Sequence, residues 1–203
     1  MHIEFLVEER SAEAALTNLI SKILSGDHTF AIHPFQGKLD LLSNLPNRLR
    51  GYQAWLPDDW RIVVLIDEDR QNCVVIKRQL EDAARIAGLI TRTSTGGQGP
   101  FQVLNRLAIE ELEAWFFGDV AAIKAAYPRV PAGLGQKAKY RDPDRITGGT
   151  WEALERELKK VGYYIAGMPK IEVSRKISRY MDVHQNRSHS FRVFLDALRA
   201  CIS

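Results

Sequence analysis

The stretch Arg61-Ile-Val-Val-Leu-Ile66 is followed directly by Asp67-Glu68-Asp69. A continuous run of apolar, mostly β-branched residues is typical of a strand that is buried on both faces of a parallel sheet. Acidic side chains directly after such a strand lie where open α/β sheets bind ligands, outside the carboxyl ends of the strands. This stretch therefore predicts both a fold class and the place of a functional site.

The segments before this stretch alternate between strand and helix patterns. Ile3–Val7 is a short apolar run, and the helical stretch Ala12–Leu24 follows it. Thr29–Phe35 is rich in β-forming residues, and Lys38–Tyr52 has a helical pattern that we expect to be broken or kinked at Pro46. This order predicts an α/β fold with a mostly parallel sheet flanked by helices.

The segments after it continue the alternation and then become helical. Val74–Ala87 predicts a helix, Leu89–Ser94 a fourth strand and Ala108–Phe117 a further helix. Three more helices are predicted near Thr150–Val161, Lys170–Arg179 and Ser188–Ile202. We predict an α/β core over residues 1–125 and a basic helical extension over residues 126–203 that packs on the core.

Charge is divided unevenly along the 203 residues, although the total is only +3. Residues 1–101 hold 11 Lys/Arg and 13 Asp/Glu, a net of −2, and residues 102–203 hold 17 and 12, a net of +5. Lys137–Arg192 alone holds 13 basic and 7 acidic residues. An acidic site facing a basic surface is common in enzymes that act on phosphodiesters, but surface composition alone also gives such a difference.

The composition excludes several classes of protein. A hydrophobic share of 45% and a charged share of 26% do not fit a collagen-like or largely disordered chain. No apolar run reaches the roughly 18–20 residues of a membrane helix, and the first ten residues lack the basic start of a secretory leader. Cys73 and Cys201 fit neither a disulfide framework nor a metal motif. We expect a soluble cytoplasmic protein without membrane contact.

Carboxylates follow two of the predicted strands. Glu8 and Glu9 come after the first strand, and Asp67 and Asp69 come after the third. Because alternate side chains of a strand project to the same side, we expect Asp67 and Asp69 to converge on one cation. Oxygen ligands suit Mg²⁺ or Mn²⁺ better than Zn²⁺. The alternative is that these residues are only helix caps and loop charges.

A third acidic cluster lies in the predicted helix Ala108–Phe117. On a helix, Glu110 and Glu113 share one face, while Glu111 points elsewhere. A carboxylate next to the following aromatic residues is a candidate ligand, which selects Glu113. The alternative is that three glutamates near a helix start only favour its dipole.

The motifs FLVEERSAEAAL, VVLIDEDRQNC and AIEELEAWFFGD resemble a small bacterial Toprim-like family. This family is related in its catalytic motifs to the Toprim domains of topoisomerases, DnaG-type primases and overcoming-lysogenization-defect (OLD) nucleases. The resemblance continues through HPFQGKLDLL, YRDPDRITGGTWEAL, GMPKIEVSRKI and NRSHSF, and so covers nearly the whole chain.

The resemblance implies a Toprim glutamate at Glu8 and the Toprim D-x-D pair at Asp67 and Asp69. Glu13 is placed as the second glutamate of nuclease-type Toprims, although its spacing from Glu8 is one residue longer than usual. Lys170 resembles a lysine that some Toprim nucleases hold near their metals. The predicted catalytic residues are Glu8, Asp67, Asp69 and Lys170, and the predicted metal ligands are Glu8, Glu13, Asp67, Asp69 and Glu113.

Basic residues are the candidates for substrate binding. Lys38 follows the second strand, and Arg141 and Arg175 lie in the basic stretch, so we expect all three to contact phosphates. Aromatic residues such as Tyr140 and Trp151 lie between these charges, either for base stacking or as ordinary core residues.

The implied activity is that of a metal-dependent phosphodiesterase or nuclease acting on DNA or RNA, in phage defence or in a mobile element. One alternative is a regulatory or toxin-like effector subunit of an ATPase encoded nearby, and another is a non-catalytic nucleic-acid-binding module. If Trp115, Phe116 and Phe117 are exposed, they also favour a homodimer.

Overall fold

A single parallel sheet organises the chain. The computed structural model describes residues 1–24 and 26–202. Its four strands have the order β2-β1-β3-β4 and all neighbouring pairs are parallel. The strands are β1 (His2–Val7), β2 (Thr29–Pro34), β3 (Trp60–Asp67) and β4 (Val103–Ala108). The predicted α/β class with a mostly parallel sheet flanked by helices is confirmed, and this architecture is consistent with a Toprim-like fold.

Helices connect the strands and form most of the basic second half. They are α1 (Arg10–Ile23), α2 (Lys38–Gln53), α3 (Cys73–Ile86), α4 (Ala114–Gly118), α5 (Val120–Ala126), α6 (Thr150–Lys160), α7 (Lys170–Ser178) and α8 (His189–Ile202). Three short 3-10 turns lie between α5 and α6. The helix α2 continues through Pro46, so it is not broken there, while a kink at Pro46 stays a prediction. The helical C-terminal region is present as predicted, while the boundary at residue 125 stays a prediction.

The two faces of the sheet pack into different cores because successive strand residues point to opposite sides. Leu6 of β1 faces α2 and α3, where it joins a cluster with Leu45 and Leu80. Phe5 faces the other side and joins a larger cluster with Leu16 of α1 and Phe194 of α8. The C-terminal helices therefore share a core with β1 and α1. None of the described helices is both long and apolar enough to span a membrane.

The fourth strand lies later in the chain than predicted. Thr91, in the predicted strand Leu89–Ser94, forms only an isolated bridge to Val103, and β4 occupies Val103–Ala108. The polar residues Asn105 and Arg106 interrupt the apolar pattern of β4, which hides it in the sequence. Asn105 is buried, and its side-chain amide donates to Oε1 of Glu81 at 3.1 Å, while Arg106 is only partly buried.

The helix predicted over Ala108–Phe117 is wrong in its first half. Ala108 ends β4, and Glu110 has a left-handed backbone with φ 60°. The Asp69 N–H donates to the Glu110 carbonyl at 2.8 Å, which ties this segment to the loop after β3. Tertiary contacts thus override the local helical pattern until Ala114.

Trp115, Phe116 and Phe117 are fully buried. Trp115 donates from its indole N–H to the Ser190 hydroxyl at 3.0 Å and packs against Phe191 of α8. The exposure on which the homodimer prediction rested is therefore wrong, and a homodimer has no support from these residues.

Candidate functional site

The carboxyl ends of the two central strands bring Glu8 and Asp67 together. β1 and β3 are parallel neighbours, with Val7 paired to Leu65. The Asp67 N–H donates to Oε2 of Glu8 at 3.3 Å. Burial, and then the charge of Asp69, raises the pKa of Glu8. The structure thus joins the acidic residues that follow the first and third strands.

Asp67 is the most enclosed member of this pair, with 8% of its surface exposed. Its Oδ1 accepts a hydrogen bond from the Leu112 N–H at 3.0 Å. Burial raises the pKa of Asp67 well above its usual range, and the charges of Glu113 and Glu8 raise it further. Each of these carboxylates therefore makes the ionised form of the others less favourable.

Glu113 completes the acidic group from the segment after β4. It directly precedes α4 and therefore does not share a helical face with Glu110. Its side chain is 1% exposed, and neither carboxylate oxygen has a hydrogen-bond partner within the described residues. Burial raises the pKa of Glu113 to about 7, although Lys170 acts in the opposite direction. A buried carboxylate without hydrogen bonds destabilises a fold, so stability does not explain this residue.

Lys170 brings a positive charge from the C-terminal region to the acidic group. It is the first residue of α7, and its Nζ lies 3.7 Å from Oε1 of Glu113. It also forms an ion pair with Glu9 and lies 5.7 Å from the centre of the Trp151 ring. Burial opposes the charged form, but Glu113 and Glu9 together raise the pKa of Lys170.

Asp69 does not follow the strand alternation that was expected for the D-x-D pair. β3 ends at Asp67, and Asp69 has a left-handed backbone with φ 50°. Its Oδ2 lies 2.8 Å from Nζ of Lys38, which also donates to the Glu68 carbonyl at 3.0 Å. The predicted phosphate-binding residue Lys38 thus lies at the site, where it neutralises Asp69.

Three other predicted residues make no hydrogen bond or ion pair with this acidic group in the described part of the chain. Glu13 lies in the first turn of α1, and only its backbone takes part in hydrogen bonds. Arg141 follows the second 3-10 turn and Arg175 lies in α7, and both residues are exposed. Tyr140 is fully buried and stacks on Phe117, so it belongs to the core.

Two glutamates of the site were not predicted. Glu9 accepts a hydrogen bond from the Ser11 hydroxyl at 2.6 Å and pairs with Lys170. Glu111 accepts hydrogen bonds from the Thr150 hydroxyl at 2.7 Å and from the Trp151 N–H at 2.8 Å, and so fixes the start of α6. Glu9 was marked only by its position after a strand, and no local signal marks Glu111, because its partners come about 40 residues later.

A comparison with protein families gives a match that includes all of the acidic residues described above and Lys170. Residues 7–199 match the family described as Domain of unknown function (DUF4276). The chain belongs to the DUF4276 family. Comparisons with curated proteins and with solved structures gave no match. Glu8, Asp67, Glu113 and Lys170 all lie within the matched residues, so the acidic site belongs to the DUF4276 region of the chain.

The acidic group of this DUF4276 chain offers the oxygen ligands that Mg²⁺ binds, but its side chains are not arranged around a common metal position. Carboxylate oxygens are the ligands that Mg²⁺ prefers, and the two oxygens of Glu113 accept no hydrogen bond within residues 1–24 and 26–202. In the same residues, no three His, Cys, Asp or Glu side chains are arranged to hold a metal ion. Lys38 and Lys170 instead supply the nearby positive charge. The residues fit a divalent cation provided that the side chains move towards it.

Proposed function

We propose that this DUF4276 chain is a metal-dependent phosphodiesterase that cleaves DNA or RNA. The observation that carries the proposal is the buried carboxylate of Glu113, which has no hydrogen-bond partner among the described residues and acts electrostatically on Asp67. This carboxylate lies at the edge of the sheet where open α/β folds bind ligands. The Toprim-like motifs around Glu8 and Asp67 give further support.

Glu8, Asp67 and Glu113 are the residues that would hold Mg²⁺ or Mn²⁺, and Asp69 would join them if Lys38 released it. When bound, such an ion lowers the pKa of a coordinated water and neutralises charge on phosphate oxygens. Glu13 makes no contact with this group and receives no role.

Lysines and arginines would act on the phosphates. Lys170 would donate to a non-bridging oxygen of the scissile phosphate and balance the charge that develops there. Glu9 is a positioning residue, because its ion pair holds the ammonium group of Lys170 at the acidic edge. Arg141 and Arg175 are exposed and would contact phosphates along the strand.

A cleavage screen with the variant Asp67→Asn tests the proposal. This variant keeps the shape of a buried side chain and removes its charge, so we expect it to lose Mg²⁺- or Mn²⁺-dependent cleavage by at least about a hundredfold. The substrates are single- and double-stranded DNA, plasmid and tRNA. Asp58→Asn, an exposed position before β3, is the matched control and should keep wild-type activity. Equal cleavage by Asp67→Asn and the wild type would contradict the proposal.

The second candidate is an effector subunit controlled by an ATPase encoded nearby. Two lysine contacts favour it, because Lys38 pairs with Asp69 and Lys170 lies beside Glu113, and a cation would need both carboxylates. This candidate predicts weak cleavage by the purified chain and a stable complex after co-expression with the ATPase. A cytoplasmic location and a role in phage defence or in a mobile element belong to the same proposal.

A further inference from the structure

A cavity on the α2 side of the sheet lies away from the acidic site. It has a volume of about 400 Å³ and is lined by Glu4, His33, Asn47, Arg48, Gly51, Tyr52 and Trp55. A second cavity of about 430 Å³ shares His33, Asn47 and Arg48 with it, so the two form one groove between β2 and α2. The second cavity extends towards the carboxyl edge of the sheet as far as Phe35, whereas the first lies around Glu4 and Trp55. Volumes of roughly 300–1,000 Å³ are typical of small-molecule sites.

The aromatic end of this groove lies at the opposite end of β3 from Asp67. Trp60 begins β3 and packs edge-on against Trp55, with ring centres 5.5 Å apart, while Asp67 ends the strand. At about 3.3 Å per residue, the two ends of β3 are roughly 23 Å apart. A ligand bound at Trp55 would therefore not occupy the acidic site.

The floor of the groove is a rigid network around Glu4, which lies in the middle of β1 and is 7% exposed. Its Oε2 accepts hydrogen bonds from the Tyr52 hydroxyl at 2.8 Å and from Nε2 of His33. Its Oε1 lies 3.0 Å from Nε2 of His2. The carboxylate is thus satisfied by three neighbours, and it holds His33 and Tyr52 in fixed positions.

The wall of the groove on α2 carries one positive charge. Arg48 donates to the Tyr52 hydroxyl at 3.3 Å and its guanidinium lies 5.1 Å from the centre of the Tyr52 ring. Among the described residues, no carboxylate forms an ion pair with Arg48. Arg48 is exposed and lines both cavities, and guanidinium groups bind phosphate well because several N–H donors match the phosphate oxygens.

An aromatic platform stands next to this charge. Trp55 is 55% exposed, and its ring lies 5.4 Å from the Tyr52 ring. A half-exposed tryptophan offers a face on which a flat ring can stack. An unpaired guanidinium beside such a face suits a ligand that joins a flat aromatic ring to an anionic group.

We propose that this groove binds a nucleoside phosphate, with its base on Trp55 and its phosphate on Arg48. The ligand is either a free nucleotide or one unit of a nucleic-acid strand, since both offer the same chemistry. The proposal goes beyond the proposed cleavage activity, because the groove uses none of the acidic residues at the other end of β3.

Calorimetric titration of the full chain without metal tests this proposal. The probes are adenosine monophosphate, a six-residue deoxyadenosine strand, adenosine and inorganic phosphate. We expect saturable binding of the nucleotide or the strand, and weaker binding of adenosine and of phosphate alone. Tighter binding of the strand that is weakened in Arg48→Ala and Gly51→Leu assigns the groove to nucleic acid. Equal or tighter binding of the monophosphate with the same dependence on these residues assigns it to a free nucleotide.

Two variants locate the binding. Arg48→Ala removes charge-assisted hydrogen bonds and should weaken binding about tenfold or more. Gly51→Leu places a side chain in the groove without removing a contact. A Cβ atom at position 51 would have no other atom within 4 Å, so the new side chain does not clash where it leaves the backbone. This substitution also suits a helix interior, so a folding defect is not expected. Arg85→Ala on α3, an exposed arginine paired with Asp82, is the control and should bind like the wild type.

The asparagine variant of Asp67 separates the two proposals, since it should bind the probes as the wild type does even where it cleaves nothing. Two results would overturn the nucleotide site. One is the absence of saturable binding by either nucleotide probe up to millimolar concentration, and the other is equal binding by the wild type, Arg48→Ala and Gly51→Leu.

Discussion

Glu113 carries a charge that the folded chain does little to stabilise. Its carboxylate is buried without a hydrogen-bond partner in the described residues, and Lys170 at 3.7 Å is its nearby cation. Groups of this kind are common at functional sites, where stability is lost in exchange for reactivity or binding. The stability lost by burying this carboxylate should appear in the pH dependence of the free energy of unfolding.

We expect Glu113→Gln to gain stability relative to the wild type as the pH rises from 5 to 8. The pKa of Glu113 is raised to about 7 in the fold from 4.5, so the wild type loses stability as the pH rises through this interval. The variant lacks this titration, and the difference should reach about 2 kcal/mol in the free energy of unfolding.

Urea denaturation with a chelator present measures this difference at both pH values. Asp196→Asn, at an exposed carboxylate of α8, is the control and should behave like the wild type at both pH values. The explanation fails if the difference between Glu113→Gln and the wild type is the same at pH 5 and pH 8.

The contact between α1 and α7 sets the position of Lys170 at the level of elements. Lys22 of α1 donates to the carbonyls of Ser178 at 3.1 Å, Arg179 at 2.7 Å and Met181 at 2.8 Å. These carbonyls lie at the carboxyl end of α7, where a helix leaves its acceptors unpaired and favours positive charge. Lys170 begins the same helix, so this contact helps to fix its place at the acidic site.

Lys22→Met should therefore lower the free energy of unfolding by about 1–2 kcal/mol. Hydrogen exchange should increase most in α7, because its last carbonyls lose their donor. Lys124→Met in α5 is the control, since Lys124 is exposed. Equal stability and exchange in the two variants would show that the Lys22 contact contributes nothing.

Elements with strong local patterns were predictable from the sequence, and elements fixed by tertiary contacts were not. β3 and α8 were placed within a residue or two, because long apolar runs and helical spacing need no knowledge of neighbours. The sequence does not mark β4, because Asn105 and Arg106 interrupt its apolar pattern. The residues around Glu110 have a local helical pattern, and the hydrogen bond with Asp69 that overrides it comes from a segment about 40 residues earlier.

The same distinction applies to the candidate site, where only the residues that follow strong strand patterns were predictable from the sequence. Glu8 and Asp67 follow strong strand patterns, so their meeting at one edge follows from the topology alone. The strand alternation expected to bring Asp69 beside Asp67 was wrong, because the strand ends at Asp67. Asp69 nevertheless acts electrostatically on both Glu8 and Asp67, and its convergence with Asp67 on one cation stays a prediction. Glu9 and Lys170 pair across about 160 residues of sequence, which no local pattern encodes.

At the scale of the whole molecule, the uneven charge has a structural counterpart. Acidic residues gather at the carboxyl edge of the sheet, and Lys170 reaches them from the basic second half. Within the basic half, the single carboxylate of Glu157 pairs with the three lysines Lys137, Lys139 and Lys160. Three positive charges and one negative charge leave this group with a net charge of +2, so it remains part of the basic excess.

Anomalous diffraction from crystals soaked in Mn²⁺ is the most direct test of the central claim that Glu8, Asp67 and Glu113 form a metal site. We expect one or two Mn²⁺ peaks between these residues in the wild type, with Lys170 displaced from Glu113, and no peak in Asp67→Asn. A wild-type crystal without a peak there, in which Lys38 still pairs with Asp69 and Lys170 with Glu9, would contradict the claim.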